Sequence, residues 1–184
     1  MKQSFLSKIA LCSVIFTAVT TISANAKTPA FYQDIVKKNI LSKPKPSTKL
    51  VAQADTSSIE RAVFDRINQY RQGRNLAPLT WDNSIANQAR IHSQNMANGA
   101  VPFSHNGFQQ RVQEIAKVIP YRGAAENVAY NQGYADPAAN AVQGWLNSSG
   151  HQRNIVGNYN LTGIGVARNS RGEYYFTQIF ILKR

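Results

Sequence analysis

Residues 161–184 read LTGIGVARNSRGEYYFTQIFILKR, and this stretch decides the fold class of the chain. Its two runs at 161–167 and 174–182 are rich in β-branched and aromatic residues, which favour strands. The segment between them, at 170–172, contains a serine and a glycine and is typical of a turn. The stretch therefore predicts a β-hairpin at the end of the sequence.

Helical patterns precede this hairpin. Ser57 and Glu60 have the spacing of a capping box. Asp82 and Asp136 are good N-cap residues for two further helices. The predicted helices span 57–73, 82–99, 108–119 and 136–150, with an extended connection at 76–81 and a strand edge or a loop at 125–130. Because helices and strands do not alternate along the chain, these elements predict the α+β class with an antiparallel sheet.

Residues 1–26 have the pattern of a secretory signal peptide, with a basic start, an uncharged apolar run at 9–22 and an A-x-A cleavage site that ends at Ala26. The apolar run is shorter than the roughly 20 residues of a membrane-spanning helix, which disfavours an anchor. Cys12 lies inside this segment, so the mature protein would contain no cysteine. The sequence thus predicts a secreted or periplasmic protein without a transmembrane segment.

Residues 27–56 are rich in lysine and are interrupted by Pro29, Pro44 and Pro46. This composition predicts a basic flexible linker. The alternative is a tether that anionic lipid head groups or envelope polymers attract. The remaining residues, 57–184, form the predicted folded domain.

The composition excludes several classes of protein. The chain has 184 residues, of which 43% are hydrophobic, and is therefore too apolar for a disordered protein. Its net charge is +12, but the arginines of the domain, among them Arg71, Arg90 and Arg111, are scattered and are expected on solvated helix faces. Because no nucleic-acid-binding motif accompanies them, nucleic acid is not an expected partner.

A set of short motifs, in a fixed order, resembles the CAP superfamily of cysteine-rich secretory, antigen 5 and pathogenesis-related 1 proteins, and most of all its bacterial SCP-like branch. The motifs are LTWD at 79–82, FSH at 103–105, AENVA at 125–129, WLNSSGHQRNI at 145–155, GIGVA at 163–167 and QIF at 178–180. The resemblance covers residues 57–184. It implies an α-β-α sandwich with a central antiparallel sheet and a cleft where the histidine-bearing loops meet.

The resemblance also implies a set of cleft residues. Two histidines and two acidic residues line this cleft in the family, and their positions fall on His105, Glu126, Ser148 and His151. Ser148 stands where eukaryotic members carry an acid, so the set is incomplete. The family associates a divalent metal, most often zinc, with the histidine pair, which would be His105 and His151. Two neutral imidazoles and one carboxylate are also a ligand set that catalytic zinc sites use.

Each of these residues also has a structural interpretation. Glu126 would accept hydrogen bonds from loop amides. His151 would be a cation at a helix C-terminus, and His105 would be exposed in its loop. The third histidine, His92, is expected to be a half-buried packing residue. Ser104 is not expected to be a nucleophile, because adjacent residues in one loop rarely point at each other.

Two functions follow. The first is an exported, non-catalytic binding module whose cleft holds a divalent metal and a small-molecule, lipid, glycan or protein ligand of the cell envelope. The alternative is a metal-assisted hydrolase, peptidase-like or esterase-like, with Glu126 as the general base. The serine at position 148 removes one candidate acid or base and so favours the binding module.

Overall fold

The computed structural model describes residues 48–184, with side chains from Thr56 onward. The predicted signal peptide, and the predicted linker up to residue 47, lie outside the described residues. Within them the chain forms five helices and a four-stranded sheet. The elements in chain order are α1 (Thr48–Gln72), β1 (Thr80–Trp81), α2 (Asn83–Ala97), α3 (Phe108–Ala116), β2 (Tyr121–Gln132), α4 (Pro137–Leu146), α5 (Ser149–Ile155), β3 (Leu161–Arg168) and β4 (Glu173–Lys183).

The sheet has the strand order β1-β3-β4-β2. The predicted hairpin is confirmed, because β3 and β4 pair antiparallel with Leu161 opposite Ile181 and Arg168 opposite Tyr174. The segment 125–130 belongs to β2, which pairs antiparallel with β4 along its whole length. The extended connection before α2 adds the two-residue β1, which runs parallel to β3. The predicted antiparallel sheet therefore carries one short parallel edge.

Helices cover both faces of this sheet. On one face, Phe176 and Phe180 of β4 pack in a core with Trp145 of α4 and Ile67 of α1. On the other face, Ile179 and Ile181 of β4 pack against the inner residues of α2 and α3. Alternate residues of one strand thus enter different cores, as the pleat requires. The chain is an α-β-α sandwich, which confirms the predicted fold class.

Helix α1 differs from its prediction. It begins at Thr48, so it includes residues 48–56 of the predicted linker and carries Ser57 in its interior. The capping-box interpretation of Ser57 and Glu60 is therefore wrong. The Glu60 carboxylate is buried and accepts hydrogen bonds from Arg90 at 2.7 Å and from the Val166 amide at 3.1 Å. A buried carboxylate needs such partners, which explains why it turns towards the sheet.

The predicted helix at 136–150 is two helices. Asp136 caps α4 as expected, since its side chain accepts from the Ala139 amide at 2.9 Å, but α4 ends at Leu146. Helix α5 starts at Ser149, so His151 lies at its beginning rather than after a helix C-terminus. The interpretation of His151 as a C-terminal cation is therefore wrong. Helix α3 is also shorter than predicted and ends at Ala116.

Among the helices of residues 48–184, none combines the length and the apolar composition that a membrane span requires.

Candidate functional site

A cleft of about 460 Å³ opens where three separate segments meet. The loop after α2 supplies His105, strand β2 supplies Glu126, and the start of α5 supplies Ser148 and His151. Arg153 and Asn154 of α5 line the same cleft. The structure therefore brings together all four positions that the family resemblance implies.

Glu126 lies at the base of the cleft and is only 1% exposed. Both of its oxygens accept hydrogen bonds from Arg111, because Nε donates to Oε2 and the Nη2 nitrogen donates to Oε1, each at 2.8 Å. This bidentate geometry is the strongest form of a carboxylate–guanidinium pair. Glu126 is thus held by a buried cation and not by loop amides, so that structural interpretation is wrong.

His105 is oriented by the same carboxylate. Its Nδ1 lies 3.0 Å from Glu126 Oε1. Because a carboxylate paired with arginine only accepts hydrogen bonds, Nδ1 must donate, and the other ring nitrogen of the neutral imidazole keeps its lone pair. The ring is half exposed, with 51% of the side chain accessible. In its neutral form, His105 therefore presents an acceptor nitrogen to the cleft.

The second histidine lies beside the first. The ring centroids of His105 and His151 are 6.3 Å apart. Burial lowers the pKa of His151, and the nearby His105 lowers it further, so the ring is neutral at neutral pH. The backbone carbonyl of His151 accepts from Asn127 Nδ2 at 3.2 Å, and Asn154 Nδ2 donates to Asn127 Oδ1 at 2.9 Å. These amide contacts attach the start of α5 to strand β2.

Ser148 takes the fourth position. It is the N-cap residue of α5, but its side chain makes no capping hydrogen bond. Glu126 is therefore the one carboxylate among the residues that line the cleft. Because Arg111 neutralises this carboxylate and Arg153 adds a positive charge, the cleft is not an acidic cavity.

Arg111 is the functional residue that sequence reasoning missed. The sequence analysis expects Arg111 on a solvated helix face, yet its side chain is buried. Arg71 is buried as well, and so is Glu60, the residue with which Arg90 pairs. A signal was present, because Arg111 follows Phe108 by three residues and precedes Ile115 by four, which places it on the inner face of α3. The expectation of a solvated position is therefore wrong for Arg71 and Arg111, whereas Arg61, Arg74 and Arg153 are exposed as expected.

His92 and Ser104 have structural roles. His92 is buried, and its Nε2 lies 2.8 Å from the Ser104 carbonyl, so it supports the loop that carries His105. The packing role of His92 is confirmed, although it is fully rather than half buried. Ser104 Oγ bonds within its own loop, donating to the Pro102 carbonyl and accepting from the Asn106 amide. This hydroxyl is thus engaged in a turn.

The burial of His92 predicts a pH dependence of stability. Burial lowers the pKa of His92 in the folded protein, whereas the unfolded chain keeps an ordinary value near 6.5. As the pH falls, the unfolded state takes up the proton first, so the free energy of unfolding decreases between about pH 7 and pH 5. Urea unfolding at several pH values measures this, and His92→Gln should flatten the curve. An unchanged slope in that variant would show that other groups cause it.

The residues of the cleft fit a metal in part. Within residues 56–184, no three or more His, Cys, Asp or Glu side chains are grouped as metal ligands. Both oxygens of Glu126 already accept hydrogen bonds, from His105 and from Arg111. Ligating histidines often donate their other ring nitrogen to a carboxylate, and His105 has that arrangement. The donor set therefore suits two histidine ligands with Glu126 supporting one of them, rather than three direct ligands.

Helices on both faces of the sheet, together with a cleft that joins two histidines to a buried glutamate, define the same class of protein that the sequence motifs resemble. Residues 64–180 match the family described as CAP, the Cysteine-rich secretory protein family. The chain belongs to this family.

Relatives in bacteria share the domain. The uncharacterized membrane protein YlbC of Bacillus subtilis is 34% identical over 154 residues, which cover 80% of this chain and 41% of that protein. The uncharacterized protein YkwD of the same organism is 32% identical over 154 residues, covering 82% of this chain and 58% of that protein. The chain thus spans about half the length of the curated relatives it matches.

Solved structures show the same fold. An extracellular protein containing a SCP domain from Bacillus anthracis is 32% identical, with a TM-score of 0.62 over 77% of this chain and 45% of that chain. An outer surface protein from Borrelia burgdorferi has a TM-score of 0.61 over 70% of this chain and 96% of that chain. Its identity is 16%, so this second likeness concerns the fold alone.

Proposed function

We propose that this protein is an extracytoplasmic CAP-domain binding module whose cleft holds a divalent metal, preferably zinc, on His105 and His151. The observation that carries the proposal is the chain of contacts from Arg111 through Glu126 to His105 Nδ1. This chain fixes the imidazole tautomer and leaves its second nitrogen free beside a neutral His151. Neutral imidazoles are preferred ligands of zinc.

The metal would supply a Lewis acid to which an oxygen of a ligand binds. The residues of the chain would orient the metal ligand and contact the bound molecule. Arg111 and Glu126 orient His105, while Ser148, Arg153 and Asn154 line the cleft and offer polar groups to the ligand. A lipid, a glycan or a protein of the cell envelope is the expected class of ligand.

The hydrolase alternative is less well supported by this geometry. A general base needs a free oxygen lone pair directed at a water molecule. Glu126 has three hydrogen bonds on its two oxygens, and two of them come from a guanidinium that stays charged. The contacts of Glu126 therefore suit orientation of a histidine better than proton transfer.

The sequence and the relatives together support a location outside the cytoplasm. Residues 1–26 carry the signal-peptide pattern. The related Bacillus anthracis protein is described as extracellular. Both support export of this chain, to a periplasm or to the medium.

Zinc titration tests the proposal. The purified protein should bind one equivalent of zinc in calorimetry, and His105→Ala or His151→Ala should each weaken binding at least tenfold by removing a ligand. Glu126→Gln should weaken it about tenfold or more, because a supporting residue contributes that much. Glu114→Gln is the matched control for Glu126→Gln, since the exposed Glu114 pairs with Lys117 and does not line the cleft, so the affinity should stay the same.

The outcome against the metal site is an affinity that survives both His105→Ala and His151→Ala. The outcome against a binding role is zinc-dependent hydrolysis of peptides or esters that disappears in Glu126→Gln. Thermal unfolding of each variant separates a lost ligand from a lost fold.

A further inference from the structure

An exposed aromatic surface lies beyond the cleft on the same face of the sheet. It consists of Phe103, Tyr130 and Tyr175. The ring centroids of Tyr130 and Tyr175 are 5.2 Å apart, and those of Phe103 and Tyr130 are 6.4 Å apart. Phe103 is 53% exposed and Tyr130 is 44% exposed. Grouped exposed aromatic rings on a protein surface mark interaction sites more often than scattered ones do.

The backbone holds these rings in place. Tyr130 and Tyr175 are direct neighbours across the β2–β4 pairing. Cross-strand aromatic pairs of this kind stabilise a sheet and restrict the rings. Glu126 precedes Tyr130 by four residues on the same strand, which places their Cα atoms about 13 Å apart. The surface is therefore a rigid feature next to the cleft.

Polar groups border the rings in an ordered network. The Glu173 carboxylate accepts hydrogen bonds from the Tyr130 hydroxyl at 3.1 Å and from the Tyr175 hydroxyl at 3.4 Å. Arg171 donates to the same carboxylate, with Nε at 3.0 Å, and Asn169 donates to it as well. The contacts with Arg171 and Asn169 lower the pKa of Glu173 to about 2, so the carboxylate is ionised and paired. The positive and negative charges at this border balance.

A cavity of about 450 Å³ adjoins the surface. Phe103, Arg171 and Tyr175 line it together with Val101 and Pro102. It shares no lining residue with the histidine cleft. A ligand on the rings would therefore have room to extend to the side without entering the cleft.

The chemistry of this surface selects one class of ligand. A charged ligand would find no unbalanced opposite charge, and an aliphatic chain would make no use of the polar border. A sugar ring has an apolar face of C–H groups that packs on an aromatic ring, and hydroxyls at its edge that bond to side chains such as arginine and glutamate. The arrangement of three rings, a charge-balanced ion pair and a lateral cavity matches that combination.

We propose that the aromatic surface of Phe103, Tyr130 and Tyr175 is a binding site for a neutral oligosaccharide. Sugar rings pack on Phe103 and Tyr130, while Arg171 and the tyrosine hydroxyls bond to the sugar hydroxyls. This site is independent of the proposed metal cleft.

Saturation-transfer NMR with neutral tetrasaccharides tests this site. The purified protein is mixed separately with tetra-N-acetylchitotetraose, cellotetraose and maltotetraose, and calorimetry gives the affinity. At least one should receive saturation from aromatic protons, mainly at its C–H groups. Phe103→Ala and Tyr130→Ala should each weaken its binding about tenfold, as loss of a central aromatic contact does. Tyr130→Phe keeps the ring and should lose less.

Tyr134→Ala is the matched control, because Tyr134 is 56% exposed and lines a different cavity. Tyr134→Ala should leave sugar binding unchanged. His105→Ala should also leave sugar binding unchanged, so the test of the aromatic surface is separate from the zinc test of the cleft. The proposal is overturned if none of the three sugars binds, or if binding survives both Phe103→Ala and Tyr130→Ala. Displacement of the sugar by an oligoproline peptide of higher affinity would also overturn it, since aromatic grooves recognise such peptides too.

Discussion

Gly165→Ala is expected to destabilise the protein by about 3 kcal/mol, which is the upper end of the cost of overpacking a core. Gly165 lies on β3 where α2 crosses the sheet. A Cβ atom at this position would lie 2.1 Å from the Arg90 amide nitrogen and 2.2 Å from the Ala89 carbonyl carbon. Both are backbone atoms, so no side chain can rotate away and the helix itself must move.

The same close approach occurs one helical turn earlier. A Cβ atom at Gly163 would lie 2.1 Å from the Ala86 amide nitrogen. Two glycines on one face of β3 therefore bring the helix backbone against the strand. Helix α2 leads directly into the loop of His105, so the variant should weaken zinc binding as well as stability.

Urea unfolding measures the loss, and Gly144→Ala is its matched control. Gly144 is an exposed residue of α4, and a Cβ atom there would meet nothing within 4 Å. Because alanine favours helix over glycine, Gly144→Ala should stabilise the protein by about 0.5–1 kcal/mol. If Gly165→Ala unfolds at the same urea concentration as the unaltered protein, the tight contact of helix and strand does not exist.

Arg111→Met is the second change with a large expected effect, a loss of about 3–5 kcal/mol. The Arg111 and Glu126 side chains are 9% and 1% exposed, so removing the arginine leaves a buried carboxylate without its cation. Arg111 also donates to the Asn106 carbonyl at 2.9 Å and thereby holds the His105 loop. We expect the loop and the orientation of His105 to be lost together.

The double variant Arg111→Met with Glu126→Leu separates the two contributions. Replacement of a buried ion pair by apolar residues of similar volume is often neutral, so the double variant should recover most of the stability. It should not recover zinc affinity, because His105 Nδ1 then has no carboxylate to orient it. Chemical denaturation and calorimetry on the single and double variants measure both quantities. A double variant as unstable as the sum of its two single variants would contradict a direct coupling of Arg111 to Glu126.

Local patterns predicted most of the fold. The hairpin of β3 and β4 and the capping by Asp82 and Asp136 follow from residue types a few positions apart, and the structure contains all of them. The errors lie where a distant contact overrides a local preference. Glu60 turns from its expected capping role because Arg90 and the Val166 amide, far away in sequence, satisfy its carboxylate.

In the candidate site, too, local patterns and motifs predicted some residues, whereas contacts between distant segments decided others. The family motifs indicated His105, Glu126, Ser148 and His151, but no local spacing connects the two histidines to each other or to Glu126. Arg111 was missed because an arginine three residues before an acid, Glu114, is typical of a solvated helix surface. Its partner Glu126 reaches it only when β2 lies beside α3.

The sequence alone determined the fold class, the terminal hairpin, the helix caps at Asp82 and Asp136 and the family resemblance, because each of these depends on residue type and short-range order. Only the tertiary structure decided how the functional groups are used. Hydrogen bonds between segments distant in the chain assign the proton of His105 to Nδ1, pair Glu126 with a buried cation and align three aromatic rings beside an ion pair. Such contacts depend on which residues lie close together in the folded protein, and the order of residues in the sequence does not show this.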